Sequence, residues 1–155
     1  MINIQHASLA DADELGQNIR REQRLEVLRS HGLSAADAAS ESIAASAEAW
    51  SFRTEEGLLG LAGVVPHTLV GGYASPWLLT TEAASRYPRL LLSCTKPTLA
   101  RWLETWDVLE NYIDADYTAS LRWAEWAGFT ILPAAPYGAS RALFHKIQIR
   151  KPYGC

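Results

Sequence analysis

Cysteine, positive charge and long apolar runs are all scarce in this sequence, and each shortage excludes a class of protein. The two cysteines, Cys94 and Cys155, form neither a disulfide framework nor a metal-ligand spacing, and the four histidines are scattered, so we expect no metal site. A net charge of −3 provides no basic surface for nucleic acid. No apolar window approaches the roughly 18 residues of a membrane span, and nothing resembles a secretory signal. We therefore expect a soluble protein of a reducing compartment.

The sequence does have an ordinary globular composition. Of its 155 residues, 48% are hydrophobic and 20% are charged, which is enough to bury a core without disulfides. No linker, repeat or low-complexity run divides the chain, so we expect one domain over residues 1–150 and a dispensable tail over 151–155. One stretch mixes basic and acidic side chains and is typical of a solvated helix face: Arg20, Arg21, Glu22, Arg24 and Glu26.

Apolar periodicity predicts an α/β domain with a mixed sheet and the element order β-α-α-β-β-β-α-β-α-β-β. The strands that contain Leu78 and Leu109 are expected to lie side by side and parallel, because a long helical stretch separates them and can serve as the crossover. Residues 133–140, which include two prolines and a glycine, are expected to form a loop.

Capping residues locate the helices. The first helix is expected to begin at an Asp11 N-cap and to run without a break to Gly32, and the second is expected to begin at Ser34. The long helical stretch covers residues 88–106 and contains Pro97. Proline removes a hydrogen bond from a helix interior, so we expect either a kink or two abutting helices at this point.

Residues 114–129, DADYTASLRWAEWAGF, form a short helix that ends at glycine and is followed by an apolar strand. With the element order, and with an acidic cap after the first strand, this segment resembles the GCN5-related N-acetyltransferase (GNAT) family. The resemblance implies a GNAT fold and transfer of an acetyl group from acetyl-CoA to an amine. More narrowly, the segment is similar to small GNAT-like proteins of short-tailed bacteriophages, some of which are internal virion proteins.

Two features that the family resemblance implies are missing. GNAT enzymes hold the donor pyrophosphate on an Arg/Gln-x-x-Gly-x-Gly/Ala loop after the fourth strand, whereas residues 82–89 read EAASRYPR and no glycine occurs between residues 73 and 127. Many members place a proton-donating tyrosine four residues before the glycine that ends the helix. That glycine is Gly128, and the position holds Ala124. Three tyrosines are candidates to replace it in space: Tyr112, Tyr117 and Tyr137.

A working acyltransferase also needs a general base and a phosphate-binding group. Glu82, at the end of the fourth strand, and Glu110, on the fifth, are the candidate bases. Arg86 and Arg89 are candidates to hold the phosphates of acetyl-CoA by bidentate hydrogen bonds. Each has a simpler interpretation: Glu82 as a helix-initiating acid, Glu110 as a solvent-facing strand residue, and the arginines as surface charge.

Tryptophans are concentrated on the helices that flank the fifth strand. Trp123 and Trp126 cannot both point inward alongside Leu121 and Ala124, because these residues span more than one face of a helix. At least one is expected to be exposed, and exposed tryptophan is enriched in protein interfaces. Trp123 and Trp126 are therefore the candidate interface residues.

Two functional hypotheses follow. The first is a virion-associated structural or interaction protein, present in the virus particle or host cytoplasm. Its acetyl-CoA site is degenerate, no cofactor is bound, and its partners are other virion proteins. The second is an acetyl-CoA-dependent N-acetyltransferase with an atypical donor-binding loop. The missing glycines and the missing tyrosine favour the first hypothesis.

Overall fold

The computed structural model, which describes residues 2–67 and 72–152, is built around one mixed sheet. Its strands are β1 (Asn3–His6), β2 (Glu48–Thr54), β3 (Gly57–Pro66), β4 (Tyr73–Thr80), β5 (Val108–Asp114), β6 (Thr130–Ile131), β7 (Ala135–Tyr137) and β8 (Ala142–Arg150). Its helices are α1 (Leu9–Asn18), α2 (Arg21–His31), α3 (Ala35–Ala45), α4 (Pro88–Thr105) and α5 (Thr118–Ala127). A short 3₁₀ helix, Glu82–Arg86, separates β4 from α4.

The sheet has the order β1-β2-β3-β4-β5-β8-β6, with β7 paired to β8. The strands β4 and β5 are parallel neighbours, which confirms the expectation drawn from the long crossover. Within the described residues, their register is limited to Tyr73 opposite Val108 and Ala74 opposite Leu109. Beyond these two pairs the strands separate, so the sheet splits into two arms that share only the beginning of β4 and β5.

Each face of the sheet supports its own core. Val64 and Ala74 lie in the core under α4 and α5, whereas Leu61 and Leu79 lie in the core under α1, α2 and α3. Alternate strand residues point to opposite faces, so residues of even number on β4, and from Gly60 onward on β3, face α4 and those of odd number face α2. Among the described residues, no helix is both long and apolar enough to cross a membrane.

The first helical region contains a break that the sequence did not predict. Its N-cap is Ser8, and Asp11 is the third helical residue, whose carboxylate accepts a hydrogen bond from the Ser8 N–H in a capping box. At Ile19 and Arg20 the chain becomes extended, because Ile19 forms a bridge with Thr81 and the Arg20 N–H donates to the Thr80 carbonyl. The expected single helix is therefore two helices, α1 and α2.

Other expectations about helices are confirmed. Gly32 ends α2 with a φ of 69°, and the Ser34 side chain accepts a hydrogen bond from the Asp37 N–H at the start of α3. Of the two alternatives expected at Pro97, the pair of abutting helices is wrong, because α4 is one helix. Pro97 and Ser93 are both exposed, so water can satisfy the Ser93 carbonyl that lacks an N–H partner.

Two further regions differ from the expectations. The predicted loop over residues 133–140 contains β7, whose residues pair with the start of β8. The predicted tail begins after β8, and its last three residues, 153–155, lie outside the described residues, as does Gly71 of the predicted turn before β4.

Gly128 offers a direct test of the junction between α5 and β6. Its φ is +106°, and an added Cβ would lie 3.3 Å from Ile149 Cδ1, so we expect Gly128→Ala to lower the free energy of unfolding by about 1–2 kcal/mol in urea denaturation. Gly57→Ala is the matched control, because Gly57 has a φ of +119° but open space around its Cβ position. If Gly128→Ala lowered the free energy of unfolding by less than Gly57→Ala does, this account would be contradicted.

Candidate functional site

The separation of β4 from β5 opens a cleft that two cavities share. A cavity of about 380 Å³ lies on the face of α4 and α5, and one of about 250 Å³ lies on the face of α2 and α3. Five residues line both cavities: Glu26, Trp77, Leu78, Asn111 and Tyr112. The two cavities therefore lie next to each other at the gap between the strands.

The edge of β4 that faces this cleft has lost its neighbouring strand, and side chains replace part of the missing bonds. Ala74 pairs with β5, so by alternation the backbone groups of Pro76, Leu78 and Thr80 point to the same edge. The Asn111 side chain on β5 donates from Nδ2 to the Pro76 carbonyl at 2.7 Å. Pro76 has no N–H, so its position needs no acceptor.

Gln23 of α2 acts as a substitute for the neighbouring strand further along. Its Nε2 donates to the Leu78 carbonyl at 3.1 Å, and its Oε1 accepts from the Thr80 N–H at 2.7 Å. The Thr80 carbonyl accepts from the Arg20 N–H at 3.0 Å. Gln23 is buried, so these bonds satisfy groups that water does not reach freely.

One backbone group on this edge remains without a partner. The Leu78 N–H points into the cleft, and the part of the chain that is described provides no acceptor for it. Its neighbours on the edge are satisfied by Gln23 and Asn111. A single unpaired donor where two cavities meet can receive the carbonyl oxygen of a ligand.

Glu26 is the titratable side chain at the same place. Burial, with a contribution from the nearby Asp114 carboxylate, raises its pKa from 4.5 to about 7, although the Asp114 N–H donates to Glu26 Oε2 at 3.0 Å and opposes the shift. A carboxyl with this pKa exchanges protons near neutral pH, which is the property required of a general base. The expectation of a solvated helix face is therefore wrong for Glu26.

An ion pair holds the Asp114 backbone where it contacts Glu26. Arg29 Nη1 lies 2.9 Å from Asp114 Oδ2 and 3.2 Å from Asp116 Oδ2. The Asp114 side chain is buried, and its other oxygen accepts from the Asp116 N–H at 2.9 Å. Asp114 thus has both oxygens bonded, which stabilises the end of β5 beside Glu26.

The three candidate tyrosines have different positions. Tyr112 lines both cavities and stacks on Tyr137, with ring centroids 3.8 Å apart and planes at 7°. Burial raises the pKa of Tyr137 and of Tyr117, so both keep their protons at neutral pH. Tyr137 lines the smaller cavity, while Tyr117 is not among the described residues that line either one. Tyr112 is therefore the tyrosine best placed to act in the cleft.

The two candidate bases from the sequence are not in the cleft. Glu82 is exposed at the start of the 3₁₀ helix, where its Oε1 accepts from the Arg21 N–H at 3.4 Å. Glu110 is buried, which corrects the solvent-facing interpretation, and its Oε2 accepts from Gln148 Nε2 at 2.7 Å and lies 3.3 Å from Lys146 Nζ. Neither is among the described residues that line the two cavities, so their catalytic role stays a prediction.

The arginines lie on the segment that takes the place of the glycine-rich loop. Some backbone donors of this segment are already bonded: the Ala84 N–H donates to the Thr81 carbonyl, and the Tyr87 N–H donates to the Ala84 carbonyl. Arg86 is exposed and its guanidinium lies 2.6 Å from Glu56 Oε2. Arg89 is exposed in the first turn of α4. Phosphate binding by either stays a prediction.

The two candidate interface tryptophans differ in exposure. Trp126 is 44% exposed, with Lys96 Nζ 4.6 Å from its ring centroid. Trp123 is half-buried, lines the larger cavity and donates from Nε1 to Thr95 Oγ1 at 3.3 Å. Trp126 is thus available to a partner, and Trp123 belongs to a cavity wall.

Sequence reasoning missed Gln23, Glu26 and the Leu78 N–H. The pattern of apolar residues on α2 gave no signal for Gln23, because a buried amide and an exposed one look the same in a sequence. The charge pattern around Glu26 indicated solvent exposure. Only the separation of β4 from β5, which depends on the whole sheet, brings these groups together.

Comparison with solved structures identifies the architecture. A ribosomal-protein alanine N-acetyltransferase from Escherichia coli matches with a TM-score of 0.70 at 12% identity, over 100% of this chain and 97% of that one. A ribosomal-protein-alanine N-acetyltransferase from Brucella melitensis matches with a TM-score of 0.67 at 16% identity, over 96% and 99%. A Vibrio cholerae spermidine N-acetyltransferase, solved with CoA and spermine, matches with a TM-score of 0.67 at 9% identity, over 97% and 95%.

The chain has the GNAT fold. The expected resemblance in fold is therefore confirmed over the full length. No family model matches the sequence, and no curated protein is significantly similar to it. At these identities the structural matches establish the fold alone.

The raised pKa of Glu26 gives the stability a definite pH dependence. The folded-state pKa of about 7 exceeds the ordinary 4.5, so protonated Glu26 stabilises the fold fully below pH 4.5, and this contribution is lost as pH rises through 7. We expect Glu26→Gln to gain roughly 3 kcal/mol relative to wild type between pH 4.5 and 8 in urea denaturation.

Glu22→Gln is the control, because Glu22 is exposed on the preceding turn of α2. It should follow the wild-type pH dependence. A constant difference between Glu26→Gln and wild type across this pH range would mean that the Glu26 pKa is ordinary.

Proposed function

We propose that this chain transfers an acyl group from a CoA thioester to an amine. The observation that carries the proposal is the unpaired Leu78 N–H at the junction of two cavities, on an edge whose neighbouring groups are all satisfied. One cavity would receive the donor and the other the acceptor. The solved N-acetyltransferases of the same fold, two named for alanine of ribosomal proteins and one for spermidine, support this function over the non-catalytic one.

The residues of the cleft suit the steps of such a transfer. The Glu26 carboxylate accepts a proton from the acceptor ammonium, and the free amine forms a bond to the thioester carbonyl carbon. The Leu78 N–H donates to the carbonyl oxygen as negative charge develops on it. The carbon–sulfur bond then breaks, Tyr112 is the candidate to protonate the departing thiolate, and the resulting phenolate takes up the second proton lost by the amine nitrogen. The products are an amide and free CoA.

The thioester end of the donor fits the cleft better than the diphosphate end. The segment after β4 has no glycine, and two of its N–H groups, those of Ala84 and Tyr87, are already bonded, so we expect side chains to hold the diphosphate. Arg86 and Arg89 are the proposed groups, because both lie near the start of α4 on the exposed side. We expect the donor to bind more weakly than it would to a glycine-rich loop.

Donor binding and turnover test the proposal together. By isothermal titration, we expect acetyl-CoA to bind with a micromolar dissociation constant, about −8 kcal/mol. With amines such as spermidine or a peptide that begins with alanine, Glu26→Gln should lower kcat about 100-fold or more while donor affinity is unchanged, because general base catalysis contributes this much. Glu22→Gln should retain wild-type kcat.

The turnover measurement should also show that kcat/KM rises with pH through about 7, since Glu26 must lose its proton to act. Alanine at Arg86 and Arg89 should weaken donor binding. If acetyl-CoA binds with a dissociation constant weaker than millimolar, or if Glu26→Gln keeps full turnover, the proposal is wrong.

A second candidate function is the interaction protein of a virus particle. Its specific observation is the 44% exposed Trp126, an aromatic side chain suited to anchor an interface with another virion protein. If this function holds, mass spectrometry should find the protein at fixed stoichiometry in purified particles from infected bacteria, and Trp126→Ala should remove it. Trp123→Phe, which changes a cavity wall, should not. A protein that is abundant in the cell and absent from particles would contradict this function.

A further inference from the structure

The larger cavity extends far from the cleft, across the sheet and under α4. Its floor is a row of residues in register on three strands: Leu78 on β4 lies opposite Ala62 on β3, and Ala62 lies opposite Trp50 on β2. Phe52 and Ile4, which lie opposite each other on β2 and β1, continue the floor to the sheet edge. Because the Ala62 side chain is small, it leaves space for a ligand in the middle of this floor.

The first half of α4 forms the roof of the cavity and is separated from the strands by the cavity itself. The second half is fixed to β2, because Glu48 lies 2.8 Å from Arg101 Nη1 and also accepts a hydrogen bond from Trp102 Nε1. Within the described part of the chain, no side chain of residues 88–98 is hydrogen-bonded to the sheet. The roof residues are half-buried apolar or small side chains, and they include Leu90, Leu91 and Thr98.

The lining of this cavity selects an uncharged, aliphatic occupant. Among the described residues that line it, the charged ones are Glu26 at the cleft and Arg101, which is already paired with Glu48. The carboxylate of an anionic ligand would be repelled by Glu26, and the described lining residues provide no unpaired cation for it. Aromatic and branched aliphatic side chains make up most of the remainder, and Trp50, Phe52 and Leu90 are half-buried rather than closed off.

We propose that this cavity binds the acyl chain of the donor, and that the acyl group is an aliphatic chain of medium length rather than acetyl. The carbonyl would lie at the Leu78 N–H and the chain would cross Ala62 and Trp50 towards Ile4. Strands lie about 4.8 Å apart, so the path from β4 to β1 is about 14 Å, the length of roughly ten carbons. The identity of the ligand as a CoA thioester rests on the proposed acyl-transfer function. The existence of an aliphatic binding site does not rest on it.

Two series of ligands test the site with the complete chain. The first consists of acetyl-, hexanoyl- and decanoyl-CoA, titrated below micelle formation and followed by the fluorescence of the cavity tryptophans. Decanoyl-CoA should bind at least tenfold more tightly than acetyl-CoA, because each methylene that leaves water adds to binding. The second consists of decanamide and acetamide, which have the carbonyl without CoA. The dissociation constant of decanamide should be at least tenfold smaller than that of acetamide.

Ala62→Leu is the variant that fills the floor, and Ala100→Leu is its control on the exposed side of α4. Ala62→Leu should abolish the advantage of decanoyl-CoA over acetyl-CoA, and Ala100→Leu should keep it. Cys94, an exposed thiol that also lines the cavity, provides a measurement that needs no core variant. In a Cys155→Ser background, decanamide should slow the alkylation of Cys94 by iodoacetamide several-fold.

The outcomes separate this proposal from the proposed function. Decanamide binding that Ala62→Leu removes, without binding of any CoA ester, would support the aliphatic site and refute acyl transfer from CoA. Equal affinities for acetyl- and decanoyl-CoA, with no protection of Cys94 by decanamide, would refute the aliphatic site and leave acyl transfer standing. If no ligand of either series binds, both are wrong.

Discussion

The separation of β4 from β5 is the constraint on which the site depends, and the Gln23 side chain makes it stable. A strand edge without a neighbour exposes backbone groups that cost free energy when they are buried and unbonded. Gln23 bonds both the Leu78 carbonyl and the Thr80 N–H, so two of these groups are satisfied without a strand. Because Gln23 belongs to α2, the docking of that helix on the sheet stabilises the open cleft.

The same arrangement divides the chemistry between the two faces. Side chains that can exchange a proton or stack, such as Glu26 and Tyr137, lie towards α2, while the larger cavity under α4 is mainly apolar. An amine and an apolar acyl group have opposite demands on their surroundings, because one needs hydrogen bonds and the other avoids water. The sheet acts as the wall between the two environments, and the cleft is the opening in it.

The sequence predicted the fold better than the site. The helix that ends at Gly128 and the crossover from β4 to β5 are local patterns, and both were found from the sequence. The break at Ile19 was missed because it depends on a bridge to Thr81, more than sixty residues away. Glu26 was assigned to a solvated face for the same reason: its burial comes from β5, and no pattern within α2 indicates it.

The way in which α4 is fixed has a mechanical consequence. The second half of α4 is attached to β2, where Glu48 bonds to Arg101 and Trp102. Pro97 lies just before this attachment and removes one backbone hydrogen bond from the helix interior. The first half of α4 is held by α5 instead, because Trp123 Nε1 donates to Thr95 Oγ1 at 3.3 Å. The two halves of α4 therefore depend on different elements, the second half on β2 and the first half on α5, and they meet at the proline.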